Sequence, residues 1–540
     1  MQAAASGVDG NPRAVPVESA AQAVARIRAG STVTVSASSG LSCPDAVLAA
    51  IGERYAAEGE PRDLTLVHPI AAGDMYGIRG IDHVAQPGLL RRVVAGSLPS
   101  GPSSMEPPRI WQMVGSGEVE AYNLPSGVLF EMHRQSAIGG PGVLTQVGID
   151  TFVDPRHEGG RMNEATTEAL VEVVELAGQE WLFFPNLRID VAIIRATTAD
   201  ENGNLTCENE GAPLGVLQQA LAARASGGVV IAQVERTAAA GSLPSRSVEV
   251  PGVLVDAVVV DPDQMQATRT RFRPELAGVV RAPRSSHPAV DWGVPKVIAR
   301  RAAMELEPGD AVNLGFGISA LVPQILLEEG ADDAVTWLLE QGPVGGVPQT
   351  DFQFGSASNP EAMMRAPDQF ALLQGAAFDR ALLSFLQLDG QGSVNVSRLG
   401  ARPHVTAGVG GFVDITAAAK QVVFSGTFTA GGLDVAVDAG RLDIRTEGRH
   451  AKLVQAVEQR TFSGARAVAR GQQVTVVTER CVLELRADGL TVVEVAPGVD
   501  VERDVLARAD CRLLVGDDCR TMDPRLFDPA PIGLLAQPRA

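Results

Sequence analysis

The chain has 540 residues and a net charge of −19, with 45% hydrophobic and 20% charged residues. That composition can fill large cores, and the acidic balance argues against nucleic-acid binding, which needs basic patches. An anionic ligand remains open to it, held locally by backbone N–H groups. The five cysteines, Cys43, Cys207, Cys481, Cys511 and Cys519, form no CxxC pair, so neither a disulfide framework nor a metal site is expected. The first residues lack the apolar core of a signal peptide, and the apolar runs are too short to cross a membrane. A cytoplasmic protein is the expectation.

Residues 1–14 read as a loose tail. Val17 to Ala29 read as a helix, with Ala20, Val24 and Ile27 on one face and Gly30 as its stop. A strand at Thr32–Ser36, a loop of small residues ending at Gly40 and a helix from Pro44 come next. Strand-like runs then recur at Leu64–His68, Trp181–Pro185, Val191–Ala196, Val229–Val234 and Val255–Val260, with helical patterns between them. This alternation predicts an α/β fold with mostly parallel sheets.

Arg271 to Val294 is rich in Arg, Pro and Ser. It divides a first α/β domain, 15–270, from a second, 295–540, with 271–294 as linker. The second half opens like the first: Gly30-Ser-Thr-Val-Thr-Val-Ser36 parallels Gly309-Asp-Ala-Val-Asn-Leu-Gly315, and Pro44 and Leu48 parallel Pro323 and Leu327. A duplicated architecture is the better reading of this. After about residue 420 strands dominate, at Val422–Ser425, Leu433–Val437, Leu442–Arg445, Val474–Thr478, Val482–Leu485 and Thr491–Val495. An antiparallel sheet is expected there.

Gly315-Phe-Gly317-Ile-Ser-Ala320 fits the G-x-G-x-x-G/A fingerprint of dinucleotide sites, and Glu340 stands near the place of the ribose-binding acid. An NAD-dependent dehydrogenase is therefore one reading. Against it, the matching loop Ser36–Gly40 lacks the glycines. Glu340 also runs straight into Gln341-Gly-Pro-Val-Gly-Gly346, which suits a backbone lying close to a ligand.

Further segments narrow the choice. Ala121-Tyr-Asn-Leu-Pro125 is followed by Gly139-Gly-Pro-Gly142, Gly148-Ile-Asp-Thr-Phe-Val-Asp-Pro-Arg156 and Arg195-Ala-Thr-Thr-Ala-Asp-Glu-Asn-Gly-Asn204. Beyond Glu340-Gln-Gly-Pro-Val-Gly-Gly-Val-Pro348 come Gly408-Val-Gly-Gly-Phe-Val-Asp-Ile415, Val422-Val-Phe-Ser-Gly-Thr-Phe-Thr-Ala-Gly-Gly432, Thr461-Phe-Ser-Gly464 and Thr478-Glu-Arg-Cys-Val482. In this order, from about residue 17 to the C-terminus, they resemble the class I CoA-transferases, specifically the single-chain acetate/propionate group.

The resemblance implies two related α/β domains facing across a cleft, assembly into homodimers or homotetramers, and an acyl-CoA and a carboxylic acid as substrates. No permanently bound cofactor or metal is implied. It makes Glu340 the nucleophile: a carboxylate with a reference pKa of about 4.3 is ionised at neutral pH without a helper base. It assigns Val409 and Gly410 as backbone donors to an oxyanion, the alternative being a tight turn before a strand Phe412–Ile415. Gly315, Gly317, Gly342, Gly345 and Gly346 would line the path of the CoA arm, with structural turns as the rival reading. Asn395 would lie near the same path unless it only holds a turn. Ser126 and Gly40 fall to the acid substrate. The seven histidines, His133 and His157 included, read as structural or exposed.

Two departures bear on the substrate. Ser126 stands where the family has Gln after Asn-Leu-Pro, and Leu372-Leu-Gln-Gly-Ala-Ala377 replaces an aromatic and acidic run. Both point to an acid larger than, or substituted differently from, acetate or propionate. An acyl-CoA hydrolase, or a CoA-binding protein without activity, would share most of these features.

Overall fold

A computed structural model describes residues 13–102, 104–400 and 402–535. Two ten-stranded sheets organise the chain. Eight of the first sheet's strands run in the order Val17–Glu18, Ala257–Val260, Val229–Ala238, Val191–Asp200, Thr32–Val35, Leu64–His68, Leu90–Ala95 and Glu120–Asn123, with Leu205–Thr206 and Val248–Val250 paired at the side. All eight are parallel to their neighbours. All ten residues of Val191–Asp200 are buried, as expected of a central strand covered on both faces.

The second sheet has a parallel centre built from Thr336–Leu338, Ala311–Leu314, Arg380–Ser384, Gln421–Ser425 and Gln473–Val477. Its flanks are antiparallel: Pro343–Val344 and Ala362–Met363 on one side, Cys481–Arg486 and Gly489–Val495 on the other. The expected antiparallel region is thus only partly antiparallel. Strands Gln421–Ser425 and Gln473–Val477 extend the parallel centre, Leu514–Thr521 pairs parallel to Gly489–Val495, and Asp434–Asp438 with Arg441–Thr446 and Thr429–Ala430 with His450–Ala451 form separate antiparallel pairs.

Two further expectations change in form. The helix expected over Val17–Ala29 shrinks to Ala20–Val24, because Val17–Glu18 joins the sheet edge and Ser19 with Gln22 closes a capping box directly after it. The candidate strand Phe412–Ile415 is the start of a helix, Phe412–Ala418. Its apolar run Phe412, Val413 and Ile415 is buried on a helical surface, and periodicity over so few residues cannot separate the two states.

The halves share one apolar cluster, which includes Val128, Leu129 and Phe152 from the first and Leu373, Phe412 and Phe424 from the second. Polar contacts add to it. Arg398 Nη2 donates to Glu158 at 2.6 Å, and Arg134 Nη2 to Asp368 at 2.8 Å.

A buried ion pair fixes the small-residue loop after the first half's strand Thr32–Val35. Arg195 Nη2 lies 3.1 Å from Glu210, and both side chains are almost fully covered. Arg195 also donates to the Cys43 carbonyl, and Ser42 Oγ donates to Glu210 at 2.7 Å. Leaving one buried charge without its partner costs about 3–5 kcal/mol. Glu210→Ala is expected to lower the urea unfolding midpoint by that order of stability, measured by circular dichroism.

Candidate active site

Glu340 sits at the tip of a hairpin between the two halves. Strand Thr336–Leu338 returns as Pro343–Val344, with Leu338 paired to Val344. The Gly342 N–H donates to the Leu339 carbonyl at 2.9 Å, so Glu340 and Gln341 are the two central residues of a tight turn. Gly342 adopts φ 130°, and a Cβ there would overlap the Met364 carbonyl oxygen, so no other residue fits. Gly345 and Gly346 turn the chain again before Val347–Pro348 pairs with Ala357–Ser358.

Two donors hold the carboxylate. Gln341 Nε2 lies 3.1 Å from Glu340 Oε1 and also 3.3 Å from Ser38 Oγ of the first half. The backbone N–H of Gly411 donates to the same carboxylate. A Cβ on Gly411 would overlap Glu340 Oε2 and crowd the Phe370 ring.

The Gly408–Gly411 loop is stitched to the first half. Val409 N–H donates to Asn123 Oδ1 at 2.9 Å, Gly410 N–H to the Gly96 carbonyl at 2.7 Å, and the Gly410 carbonyl accepts from Ser126 N–H at 2.9 Å. The two donors expected for an oxyanion, Val409 and Gly410, are therefore already spent on the seam between halves. The N–H of this loop that faces Glu340 is the next one along, Gly411.

One residue that sequence reasoning passed over belongs here. Asp414, in the first turn of helix Phe412–Ala418, is wholly buried. Its carboxylate accepts from the Gly127 N–H at 3.0 Å, in the first turn of helix Ser126–Ala137, and from Gln374 Nε2 at 2.8 Å. The only sequence signal was its place inside the Gly408–Ile415 segment.

Burial pushes the Glu340 carboxyl up to about 7. The negative charge of Asp414 pushes the same way, and the Gly411 N–H and the Gln341 amide oppose both. Burial likewise pushes Asp414 up to about 7 against the Gly127 N–H and Gln374. The reference value for a free glutamate thus misjudges this one.

Other expected site residues lie around this centre. Gly315 continues strand Ala311–Leu314 by donating to the Leu382 carbonyl at 2.8 Å, and Gly317 packs on Ser384, so this loop lies at the carboxyl edge of the sheet. Beyond it runs a short 3₁₀ turn, Ile318–Leu321, and Glu340, the acid that a dinucleotide site would aim at a ribose, is bound instead by Gln341 and Gly411. Gly40 is covered by Thr268 and Asp74. Ser126 is fully buried and its hydroxyl donates to the Pro69 carbonyl at 2.6 Å, so the donor expected to meet an acid is used inside the protein.

Asn395 is equally occupied. Its amide donates to Gln387 and to the Arg398 carbonyl, while its oxygen accepts from the Ser397 and Arg398 N–H groups. It holds a turn. His133 is buried against Thr34 and the Leu129 carbonyl, and burial pushes it down to about 4. Among the described residues, no cluster of His, Cys, Asp or Glu could hold a metal ion, and no helix is long and apolar enough to cross a membrane.

A family model for coenzyme A transferases matches residues 17–261. The chain is 41% identical to the caffeate CoA-transferase of Acetobacterium woodii, over 94% of this chain and 97% of that one. It is 36% identical to the acetate CoA-transferase YdiF of Escherichia coli strain K12, over 96% and 97%. The crystal structure of the acyl-CoA transferase YdiF apoenzyme from Escherichia coli O157:H7 matches with a TM-score of 0.90 at 36% identity, covering 97% of this chain and 98% of that one. The thioester complex of that enzyme with CoA matches with a TM-score of 0.88 at 35% identity, covering 96% and 98%. The chain belongs to the class I coenzyme A transferase family, among its single-chain members. It is an enzyme that moves coenzyme A between an acyl-CoA and a carboxylate.

Rates, stability and a backbone variant all test the site. If turnover uses the ionised form of Glu340, kcat/KM should rise with pH through about 7. Asp414→Asn removes a negative neighbour and should move that limb to lower pH, read from the pH–rate profile. The stability effect has the opposite sense. A carboxyl raised in the folded state holds protons there that the unfolded chain has released, so stability falls as pH climbs toward 7, and falls less in Asp414→Asn. Gly411→Ala keeps the N–H but sets a Cβ on Glu340 Oε2, so by pushing the carboxylate off that donor it should cost roughly 10²–10³ in kcat, with an unchanged circular dichroism spectrum.

Proposed function

We propose that Glu340 carries the transfer as a covalent intermediate in a ping-pong reaction. The observation behind this reading is the carboxylate itself: it sits half-buried on a turn between the halves, met by the Gly411 N–H and the Gln341 amide.

One Glu340 oxygen attacks the carbonyl carbon of the acyl-CoA. The C–S bond breaks with its electron pair on sulfur, leaving an acyl-glutamyl anhydride and CoA thiolate. The thiolate attacks the glutamyl carbonyl, the anhydride C–O bond breaks toward the departing carboxylate, and a glutamyl-CoA thioester remains. An incoming carboxylate reverses both steps. No proton is gained or lost overall, and the thioester energy stays in covalent form, so neither ATP nor an adjacent base is needed.

The geometry fits these steps. During attack on the glutamyl carbonyl, negative charge builds on the oxygen that does not leave. The donors already aimed at this carboxyl, Gly411 N–H and Gln341 Nε2, can take that charge without moving. Burial helps at the first step, because a carboxylate of raised basicity and little hydration is the better attacking group. The relatives named above carry names for acetate and for caffeate, and those names leave the acid open across that range.

Intact-mass spectrometry after addition of an acyl-CoA tests the reading. One CoA per chain should appear on Glu340, disappear with excess carboxylic acid, and be absent in Glu340→Ala. No adduct with any of several acyl-CoAs would sink it.

A further inference from the structure

Aromatic residues are scarce in this chain, 4% overall, yet four of them gather on loops beside Glu340. Phe316 stands between Gly315 and Gly317 and is 66% exposed, the most exposed aromatic side chain among the described residues. Its ring meets Phe354 edge-to-face, with centroids 5.3 Å apart. Tyr76, from the first half, meets Phe352 edge-to-face at 4.9 Å, and the Arg269 guanidinium covers Phe352 at 4.7 Å.

Register places this group close to the nucleophile. Asn313 pairs with Leu338 in neighbouring parallel strands, so Phe316 and Glu340 leave the sheet at the same edge, from strands about 5 Å apart. On the other side, Phe354 precedes Gly355, which is pressed so tightly on Gln341 that an added Cβ would come within 2.7 Å of the amide carbon. Gln341 is the residue that holds the Glu340 carboxylate. The backbone here is also strained: Arg269 and Asp351 adopt φ 56° and 52°, left-handed values that non-glycine residues hold only when their surroundings impose them.

We infer that Phe316 and Phe354, with Phe352 on the same loop and Tyr76 and Arg269 packed on Phe352, form the recognition site for the acyl group, and that this group is a planar unsaturated one, an aryl or arylalkenyl acid. The inference rests on the reading of Glu340 as nucleophile. Beside that atom only two parts of the substrates can lie, the acyl group and the thiol end of the CoA arm. The arm is a saturated amide chain that gains most from hydrogen bonds. Ring faces and edges are matched by a flat apolar group. The adenine ring is at the far end of the arm. Exposing a phenylalanine to water between two glycines has a cost that a flat ligand covering it would recover.

The test uses the full-length enzyme with propionyl-CoA as donor and either acetate or 3-phenylprop-2-enoate as acceptor, with the CoA thioesters separated by chromatography. The ratio of kcat/KM for the aryl acid over acetate should be about ten or more, the scale of one well-made aromatic contact with its buried area. It should fall about tenfold in Phe316→Ala and in Phe354→Ala, and be largely kept in Phe316→Trp. Because the ratio is taken within one protein, partial loss of folded enzyme does not alter it, and either alanine variant suffices. Transfer to acetate alone, or a ratio unmoved by both alanine variants, would overturn the inference and leave the Glu340 reading in place. Transfer to neither acid would overturn both.

Discussion

The structure depends on a loop of one half whose backbone is satisfied by the other. Gly408–Gly411 leaves the second half's sheet region and gives its N–H groups to Asn123 and Gly96, while its carbonyl receives the start of helix Ser126–Ala137. Buried backbone groups must be paired, so this loop has no low-energy place apart from the first half. Asp414 adds a charge to the same seam, taking the Gly127 N–H across it. These bonds set where Gly411 sits, and with it one of the two donors on Glu340.

The seam also explains the unusual acidity of the site. Two carboxyls, the half-buried Glu340 and the wholly buried Asp414, lie within range of one another, and neither has a cationic partner among its principal influences. Neutral donors, backbone N–H groups and the two amides of Gln341 and Gln374, stand in for a lysine or arginine. A cation beside Glu340 would hold it ionised. Neutral donors leave the carboxylate basic.

Much of the fold was legible in local pattern. Strand Leu64–His68 has the bounds that its residues imply, and the parallel α/β character follows from strands alternating with helices. Glu340 was legible through its neighbours, since Gln341-Gly-Pro-Val-Gly-Gly346 is too rich in glycine for an ordinary strand end. What stayed hidden was long-range. No residue type announces that the N–H of Val409 or Gly410 is already used, because the acceptors lie about three hundred positions earlier, at Asn123 and Gly96. The same holds for Ser126, which reads as a free hydroxyl until the Pro69 carbonyl is placed against it. Helix Phe412–Ala418 was mistaken for a strand because seven residues carry too little periodicity.

The tightness of the hairpin turn under Glu340 has a consequence for how such an enzyme can change. With Gly342 closed against the Met364 carbonyl and Gly411 against the carboxylate, the Glu340 side chain cannot be shifted by small substitutions without a clash. Variation that survives must therefore accumulate at the rim, where side chains stand in solvent and tolerate exchange. New acids would be acquired by repainting the entrance while the chemistry behind it is inherited unaltered.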